Sequence, residues 1–302
     1  MSKHFIGIDG GGTKTALVAA RRDGEVIAET QTMGSSWREH GFEKVAMTIA
    51  EAVRGMDCGE IGGIAAGMPC HGESAEGDAA LLDELNRAFP GIPFYLTNDV
   101  EVGWAGAFAL QPGVHLVAGT GSIAYGMDCN GQRVRCGGWD DFYSDEGSAY
   151  WIARRGMELF TKQSDGRAQK GPLLDIVREE FALSCDIDFI DYIQKHHASD
   201  RKARAAFQML VAKAAHAGDM AARGLYSDAA AELCLMAVTV KRQLEMPDSG
   251  WLVSYSGGVF ETRELILSPL KELIESAGGT LRKPKHTPAI GALLLALDKF
   301  GK

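Results

Sequence analysis

A glycine-rich turn that occurs twice between apolar strands is the feature that most constrains the fold. The first turn lies in IDGGGT (residues 8–13) and the second in VAGTGS (residues 117–122). Each turn ends one strand and begins another, and each is followed by a hairpin signal, Asp23-Gly24 or Asn130-Gly131. A repeated turn in a repeated strand order predicts two similar domains that face one another.

The chain has the length and the apolar content of a two-domain globular protein. Its 302 residues exceed one typical domain of about 150 residues. Hydrophobic residues make up 46% of the chain, which excludes disorder. The cluster Gln111-Pro112-Gly113 marks a domain boundary, and the segment RKPKHTP (residues 282–288) indicates a second crossing between the domains.

Charge and cysteine usage exclude several classes of function. The formal net charge is −9 and no long basic run occurs, so we expect no nucleic-acid partner. The longest apolar run, ALLLAL, is too short to span a membrane, and the N-terminus lacks the apolar core of a signal peptide. We therefore expect a cytoplasmic protein with no membrane partner. The six cysteines form no CxxC motif, which argues against a disulfide framework and against a zinc or iron–sulfur site.

The apolar patterning predicts an α/β fold. Three antiparallel strands open the chain, and strands then alternate with helices, which predicts a mixed sheet with helices on its faces. Further strands are expected at residues 60–68, 93–97 and 251–256. Helical periods extend over residues 42–53, 148–160, 201–222, 227–244, 262–276 and 288–300.

The two glycine turns have the composition of phosphate-binding hairpins. The first is not a Walker loop, because Thr13 separates Gly12 from Lys14 and a strand follows, and GxGxxG is also absent. Glycine at positive φ would let successive backbone N–H groups converge on an anion. A single turn of this kind is equally well a plain hairpin, but two at equivalent places favour a pair that holds the β- and γ-phosphates of one nucleotide. The candidate phosphate-binding residues are Gly10, Gly11, Gly12, Thr13, Lys14 and Thr15 in the first turn, and Gly119, Thr120, Gly121 and Ser122 in the second.

A third glycine turn follows the strand at residues 251–256. It contains Gly257, Gly258 and Val259 and precedes a helical period. Ligands of open sheets bind at the carboxyl ends of strands, where such a turn would admit a flat ring close to the backbone. A plain connection from strand to helix is the alternative interpretation.

Two carboxylates follow strands next to these turns. Asp9 ends the first strand directly before the glycines, a position suited to a water-mediated contact with Mg²⁺. Asp99 follows the strand PFYLT, beside Asn98 and before a helical pattern. From the pattern alone, Asp99 is either the N-cap of that helix or a catalytic group.

Six segments together resemble the sugar kinase, actin and Hsp70 superfamily, and more narrowly its BadF/BadG/BcrA/BcrD branch, which includes N-acetylglucosamine kinase. The segments are IGIDGGGTKT, LTND, LVAGTGS, GGW followed by SDEGSAYWIA, SGGVF and PAIGALLLAL. The resemblance implies two ribonuclease-H-like domains of the actin-like ATPase fold, with MgATP in a cleft between them. It also implies that the last helix returns to the first domain. We therefore expect one domain of residues 1–112 and 288–302, a second of residues 113–287, and a homodimer.

The resemblance also implies roles for individual residues. Asp99 is expected to be the base that takes the proton of the substrate hydroxyl, and Asp9 and Asp99 are the expected metal ligands. The third turn is expected to bind adenosine. The expected sugar-binding residues are Ser36, Asn98, Asp99, Thr120, Gly138, Trp139 and Asp145.

Three positions depart from the pattern of this family. Asp140 and Ser144 stand where glycine is common, and Trp37 lies near an expected asparagine in GSSWREH (residues 34–40). A changed set of polar partners alters selectivity among sugars. The departures therefore bear on which sugar binds more than on whether the protein is a kinase.

The leading hypothesis is an ATP-dependent kinase for the 6-hydroxyl of an amino sugar, with N-acetylglucosamine first and glucosamine, N-acetylmuramic acid or glucose as alternatives. A second hypothesis is an ATPase that activates a radical dehydratase or reductase, but the cysteine pair that such a protein needs for its shared iron–sulfur cluster is not evident. A third is a binding or regulatory module without catalysis, against which Asp9 and Asp99 both speak. A glucokinase of the ROK group is disfavoured, since its cysteine-rich zinc motif is absent.

Overall fold

Two five-stranded sheets organise the chain, one in each of two units. The computed structural model describes residues 3–196 and 200–302. Unit 1 comprises Met1–Gly113 and Lys283–Lys302, and unit 2 comprises Val114–Arg282. The described parts of each unit contain both strands and helices, so the expected α/β class is confirmed.

The two sheets have the same strand order. The strands are β1 (His4–Gly10), β2 (Lys14–Arg21), β3 (Val26–Met33), β4 (Ile61–Met68), β5 (Phe94–Asn98), β6 (Gly113–Ala118), β7 (Ser122–Met127), β8 (Arg133–Gly137), β9 (Trp251–Ser256) and β10 (Gly279–Arg282). Sheet 1 runs β3-β2-β1-β4-β5 and sheet 2 runs β10-β9-β6-β7-β8. In sheet 1 the hairpin strands β1, β2 and β3 are antiparallel, while β4 is parallel to β1 and to β5. The repeat indicated by the two glycine turns is thus a repeat of the whole sheet topology.

Helices cover the sheets in both units. They are α1 (Trp37–His40), α2 (Phe42–Gly55), α3 (Ala75–Ala88), α4 (Asp99–Phe108), α5 (Ala149–Ser164), α6 (Pro172–Glu180), α7 (Asp188–His196), α8 (Arg201–Ala206), α9 (Gln208–His216), α10 (Met220–Gln243), α11 (Glu264–Ser276) and α12 (Pro288–Phe300). Apolar side chains on the inner helix faces are buried against the strands, as Ile49 of α2 and Ile64 of β4 are in unit 1. No helix within residues 3–196 and 200–302 has the length and apolar character needed to cross a membrane.

The helical region of unit 2 is divided differently from the expectation. One helix over residues 201–222 was expected, and this prediction is wrong. The chain forms α8 and α9, turns at Gly218 with φ of 94°, and begins α10 at Met220. Asp219 caps α10 by accepting hydrogen bonds from the N–H groups of Ala221 (3.1 Å) and Ala222 (3.0 Å). The apolar period continues across this break, which is why periodicity alone did not locate it.

The segment after unit 2 returns to unit 1 through backbone hydrogen bonds. The N–H groups of Lys285 and His286 donate to the carbonyls of Ala107 and Gly106 at 3.1 and 3.0 Å. Helix α12 then packs on α4, where a Cβ on Gly291 would overlap the backbone of α4 and lie 2.8 Å from the Cα of Gly106. The returning segment of unit 1 begins at Lys283, before the helix itself.

The close crossing of α4 and α12 predicts a cost for any side chain at Gly291. We expect Gly291→Ala to lower the free energy of unfolding by about 1–3 kcal/mol, because backbone must move to admit the methyl group. Gly55→Ala is the matched control, since no atom lies within 4 Å of the added Cβ. It should stay within about 1 kcal/mol of the wild type. Equal stability of both variants in urea denaturation would contradict the close crossing.

Candidate active site

The ends of three parallel strands of sheet 1 bring two carboxylates to one edge. Asp9 of β1 pairs in register with Gly67 of β4, and the next residue of β4 pairs with Asn98 of β5. A Cβ on Gly10 would lie 2.9 Å from the carbonyl oxygen of Gly67, and a Cβ on Gly67 would overlap the side chain of Val102. Glycine at both positions therefore lets the first turn and the start of α4 approach β4.

Asn98, and not Asp99, caps helix α4. Its Oδ1 accepts from the N–H of Val100 at 2.9 Å, and its Nδ2 donates to the carbonyl of His71 at 2.7 Å. The capping interpretation of Asp99 is therefore wrong. Asp99 is the first residue of the helix, and its carboxylate is left for other chemistry.

Burial raises the pKa values of both carboxyl groups, and the charge of Asp9 adds to the rise at Asp99. Burial first, and then the nearby charges of Asp9 and Glu73, raise the pKa of Asp99 to about 7 against the lowering effect of the Val100 N–H. Burial likewise raises the pKa of Asp9 to about 6, opposed by Lys14. Asp99 is thus poised between its two protonation states near neutral pH.

This pair of carboxylates fits a hard divalent cation such as Mg²⁺. The cation would relieve the repulsion between Asp9 and Asp99 that the raised pKa of Asp99 reports. Over the described residues, no cluster of three or more His, Cys, Asp or Glu side chains could enclose a metal ion. Mg²⁺ commonly keeps water and takes further oxygens from phosphate, so one or two carboxylates suffice.

The first glycine turn presents part of the predicted phosphate-binding set. Thr13 and Lys14 are exposed and Gly11 and Gly12 are half-buried. Thr15 is fully buried and its hydroxyl donates to the carbonyl of Met33 at 2.8 Å, so in this structure the hydroxyl hydrogen is bonded within the sheet. The register of β2 against β3 places this side chain inside the sheet layer.

The second glycine turn is fixed by the start of α5. The N–H groups of Ala149 and Tyr150 donate to the carbonyls of Gly119 (2.8 Å) and Thr120 (3.4 Å). Ser122 is buried and its hydroxyl donates to the carbonyl of Glu146 at 2.7 Å, so in this structure the hydroxyl hydrogen is bonded to the loop. Gly119 donates its own N–H to Gly121 at 2.9 Å. Thr120 and the N–H of Gly121 remain the candidate donors of this turn.

Glycine acts in both turns through its size rather than through positive φ. Among the described residues, the glycines with positive φ do not include those of the two turns. A Cβ on Gly121 would instead lie 2.6 Å from Oδ2 of Asp145, as a Cβ on Gly10 would meet β4. The expectation of left-handed glycines in these turns is wrong, and close approach is the reason that only glycine fits.

Asp145 lies directly against the second turn. It is 3% exposed, has φ of 61°, and its Oδ1 accepts from the N–H of Ser122 at 3.3 Å. Its Oδ2 forms an ion pair with Arg201 of α8. Burial raises the pKa of Asp145, while the Ser122 N–H and Arg201 lower it. The structure therefore brings the predicted sugar-binding aspartate and the predicted phosphate turn together.

The loop before Asp145 contains the other predicted sugar-binding residues of unit 2. Gly138 has φ of 68° and lies against Ile123 of β7, while the Trp139 side chain is 73% exposed. Ser144 donates to Glu146 at 3.2 Å, and it is Ser148 that caps α5 by accepting from the N–H of Trp151 at 3.1 Å. Ser144 therefore bonds within the loop and does not cap α5.

The third glycine turn adjoins the second within unit 2. Strands β6 and β9 are parallel neighbours, and a Cβ on Gly257 would lie 2.9 Å from the N atom of Gly119. No atom lies within 4 Å of a Cβ placed on Gly258, which begins a 3₁₀ helix (Gly258–Thr262). Val259 is fully buried, so its side chain belongs to the core and only its backbone could contact a ligand.

The loop at residues 34–40, which departs from the family pattern, packs within unit 1. Trp37 stacks on Phe42 with ring centroids 4.8 Å apart and contacts the site of Gly77. Ser36 is buried at the start of α1, and its side chain makes no capping hydrogen bond. Arg38 forms an ion pair with Glu73 at 3.1 Å, and Glu73 in turn raises the pKa of Asp99. The indole at position 37 is therefore a packing group.

Sequence reasoning missed Glu73, Arg38 and Arg201 around the predicted residues. Glu73 and Arg38 lie far apart in the chain and meet only through the fold. Arg201 lies in the helical region, where no motif distinguished it from other exposed cations. No local signal pointed to these three residues.

Comparisons with known proteins place the chain in a family. The model of the BadF/BadG/BcrA/BcrD ATPase family matches residues 6–296. An N-acetyl-D-glucosamine kinase of Dictyostelium discoideum is 29% identical, with 99% of each chain covered. An N-acetylmuramic acid/N-acetylglucosamine kinase of Clostridium acetobutylicum is 26% identical, with 97% of this chain and 98% of the relative covered. A crystal structure from Chromobacterium violaceum, with a provisional assignment as an N-acetylglucosamine kinase, matches with a TM-score of 0.75 at 24% identity and covers 98% of this chain and 99% of that one.

The protein belongs to the BadF/BadG/BcrA/BcrD ATPase family. The resemblance inferred from its motifs is thereby confirmed, and so is the actin-like ATPase fold that the resemblance implied. The two sheets of equal strand order are the repeated element of that fold.

The raised pKa of Asp99 predicts a pH-dependent stabilisation by Asp99→Asn. Between pH 4 and 7 the native state binds the Asp99 proton more tightly than the unfolded state, so wild-type stability falls as pH rises. The rise of the Asp99 pKa from 3.8 to about 7 corresponds to a loss of at most about 4 kcal/mol in the free energy of unfolding above pH 7. The amide of the Asp99→Asn variant carries no charge and does not incur this loss. The free energy of unfolding of the variant relative to the wild type should therefore increase from pH 4 to 7. Asp83→Asn, at an exposed acid of α3, should show no such trend in the denaturation midpoint.

Proposed function

We propose that the protein is an ATP-dependent sugar kinase that phosphorylates the 6-hydroxyl of an amino sugar, with N-acetylglucosamine as the first candidate. Membership of an ATPase family and relatives named as amino-sugar kinases support this proposal. The observation that carries it is Asp99, a carboxyl group with a pKa of about 7 at the edge of sheet 1 beside the first glycine turn.

Asp99 supplies the base that the reaction needs. When the hydroxyl oxygen of the sugar attacks the terminal phosphorus of ATP, the bond from that phosphorus to the bridging oxygen breaks and ADP leaves. The hydroxyl proton must also leave, and the ionised carboxylate of Asp99 accepts it. A base with a pKa near the working pH combines a large ionised fraction with useful proton affinity. Asn98 contributes by position, since both ends of its amide are bonded to the backbone and fix the start of α4.

Both glycine turns and Lys14 bind the phosphates of one ATP in this proposal. Gly11, Gly12 and Thr13 contribute from unit 1, and Thr120 and Gly121 from unit 2, through backbone N–H groups and hydroxyls. Mg²⁺ near Asp9 and Asp99 supplies charge neutralisation for the phosphates. Gly257 and Gly258, next to the second turn, provide a backbone surface for the adenine ring.

Asp145 is the main sugar-binding residue of unit 2 in this proposal. Its carboxylate is buried beside the second turn and accepts hydrogen bonds from sugar hydroxyls, with Gly138 and Trp139 alongside. Thr120 serves the sugar as well as the phosphate, and Ser36 serves the sugar from unit 1. The proposal also includes a cytoplasmic location and a homodimer. Light scattering on the purified protein tests the homodimer.

A substrate screen tests the proposed activity. We expect ADP release with Mg²⁺ and ATP to depend on an amino sugar, with N-acetylglucosamine turned over best among N-acetylglucosamine, N-acetylmuramic acid, glucosamine, N-acetylmannosamine and glucose. The product should carry phosphate on O6 by NMR. Absence of turnover with all five sugars would refute the proposed function.

Removal of the base should depress turnover without unfolding the protein. We expect Asp99→Asn to lower kcat by about 10²–10⁴-fold, the usual contribution of a positioned base. In the wild type, kcat should fall at acid pH, because protonated Asp99 cannot accept the proton, and bound Mg²⁺ should place this fall below the metal-free pKa of about 7. Asp83→Asn should leave kcat unchanged. Wild-type kcat in the Asp99→Asn variant would remove this residue from the reaction.

A further inference from the structure

Arg201 reaches from helix α8 to the place where the second glycine turn meets Asp145. Its Nη2 forms an ion pair with Oδ2 of Asp145 and lies 2.9 Å from a Cβ placed on Gly121. Its Nε lies 3.7 Å from Oδ2 of Asp141. One guanidinium group thus contacts the proposed sugar-binding aspartate and adjoins the proposed phosphate turn.

Asp145 needs such a partner to keep an ionised carboxylate in a fixed direction. The side chain is 3% exposed, and the left-handed backbone at this non-glycine residue, with φ of 61°, costs energy that its surroundings must offset. The Ser122 N–H holds Oδ1 at 3.3 Å, a long hydrogen bond, so Arg201 is the charged group that holds the other oxygen. A buried carboxylate without this cation would lose both ionisation and orientation.

Helix α8 is itself anchored so that Arg201 has a defined position. Asp200 caps the helix by accepting from the N–H groups of Lys202 (2.8 Å) and Ala203 (3.0 Å). Arg204, one turn later, donates to the hydroxyl of Tyr150 at 3.3 Å and lies over its ring. Tyr150 is hydrogen-bonded through its N–H to Thr120 of the second turn. Both arginines therefore attach α8 to the elements that form this turn.

We propose that Arg201 is a positioning residue for the sugar: it holds the Asp145 carboxylate against the second glycine turn, in the orientation that accepts the hydroxyls of the sugar. The inference rests on the proposed function, and it assigns to α8, outside every motif of the sequence, control of sugar affinity. Each oxygen of a carboxylate has two acceptor sites, so Asp145 can accept from Arg201 and Ser122 and still bind sugar hydroxyls.

The chemistry of arginine accounts for its use here. The planar guanidinium group forms an ion pair with Asp145 through Nη2, while its Nε lies 3.7 Å from Asp141 Oδ2. A lysine has a single nitrogen and could not contact both carboxylates in this way. The charged groups around Asp145 are Arg201, Asp141 and Asp140, and among them Arg201 is the cation. Among the described residues whose charges act on Asp145, loss of Arg201 would leave Asp141 and Asp140, which carry like charge.

Separate measurement of the KM for the sugar and the KM for ATP tests the proposal. We expect Arg201→Met to raise the KM for the sugar by about tenfold or more, the usual result when a charged hydrogen-bonded partner is lost. The KM for ATP should change by less than about twofold, because the backbone of the turn is held by α5. In Arg201→Lys, which keeps the positive charge, the KM for the sugar should rise less than in Arg201→Met. This second variant also tests the proposal if Arg201→Met does not fold. The matched control is Lys202→Met, which removes the same charge from an exposed position of α8.

A double-mutant cycle separates positioning from general destabilisation. If Arg201 acts through Asp145, adding Arg201→Met to Asp145→Asn should produce no further loss of sugar affinity in calorimetry without ATP. In the single variant Arg201→Met, sugar affinity should also begin to fall at a higher pH than in wild type, because Asp145 loses the cation that favours its ionised form.

Two results would overturn the inference. One is an additive loss in the double variant, and the other is an equal rise of both KM values in Arg201→Lys. Wild-type turnover is measured first: no turnover of any sugar contradicts the proposed function, whereas normal wild-type turnover with an unchanged sugar KM in Arg201→Met contradicts only the inference.

Discussion

The rest of the site depends on the half-buried carboxyl group of Asp99, which is close enough to Asp9 to be affected by its charge. Asp99 has a pKa of about 7 and Asp9 a pKa of about 6, because burial disfavours both charges and the charge of Asp9 adds to the cost of ionising Asp99. Such an arrangement destabilises the folded chain, and it is typical of sites where proton transfer or a cation makes use of it. The cap of α4 is supplied by Asn98, which leaves Asp99 free for that purpose.

The second requirement is close approach of backbone segments, which glycine satisfies in both units. Gly10 and Gly67 let the first turn lie against β4, and Gly121 lets Asp145 lie against the second turn. A side chain at Gly121 would push Asp145 away from the second turn, and one at Gly10 would push the first turn away from β4. Gly10 and Gly121 are therefore required by close contacts rather than by unusual backbone angles.

Much of the fold was predictable because a repeat and a family pattern cover the chain. The doubled hairpin turn indicated the doubled sheet, and the apolar periods located β9 and α12 at the residues where they occur. The break before α10 was not predictable, since Gly218 and Asp219 interrupt an apolar period that continues in phase. Thr15 and Ser122 have the residue types of phosphate donors, and the sequence did not show that their hydroxyls donate to backbone carbonyls of the same unit. Arg201 and Glu73 reach the site through tertiary structure alone, which a local pattern does not encode.

The most direct measurement follows the backbone amides of both turns while ATP binds. In a ¹⁵N-labelled sample, we expect the amide resonances of Gly12 and Thr13 and those of Thr120 and Gly121 to shift together on addition of Mg²⁺ and a non-hydrolysable ATP analogue, with one common dissociation constant. Amides of the exposed hairpin at Gly24 should not respond. Shifts confined to one turn, or to neither, would contradict the central claim that the two glycine turns bind one nucleotide.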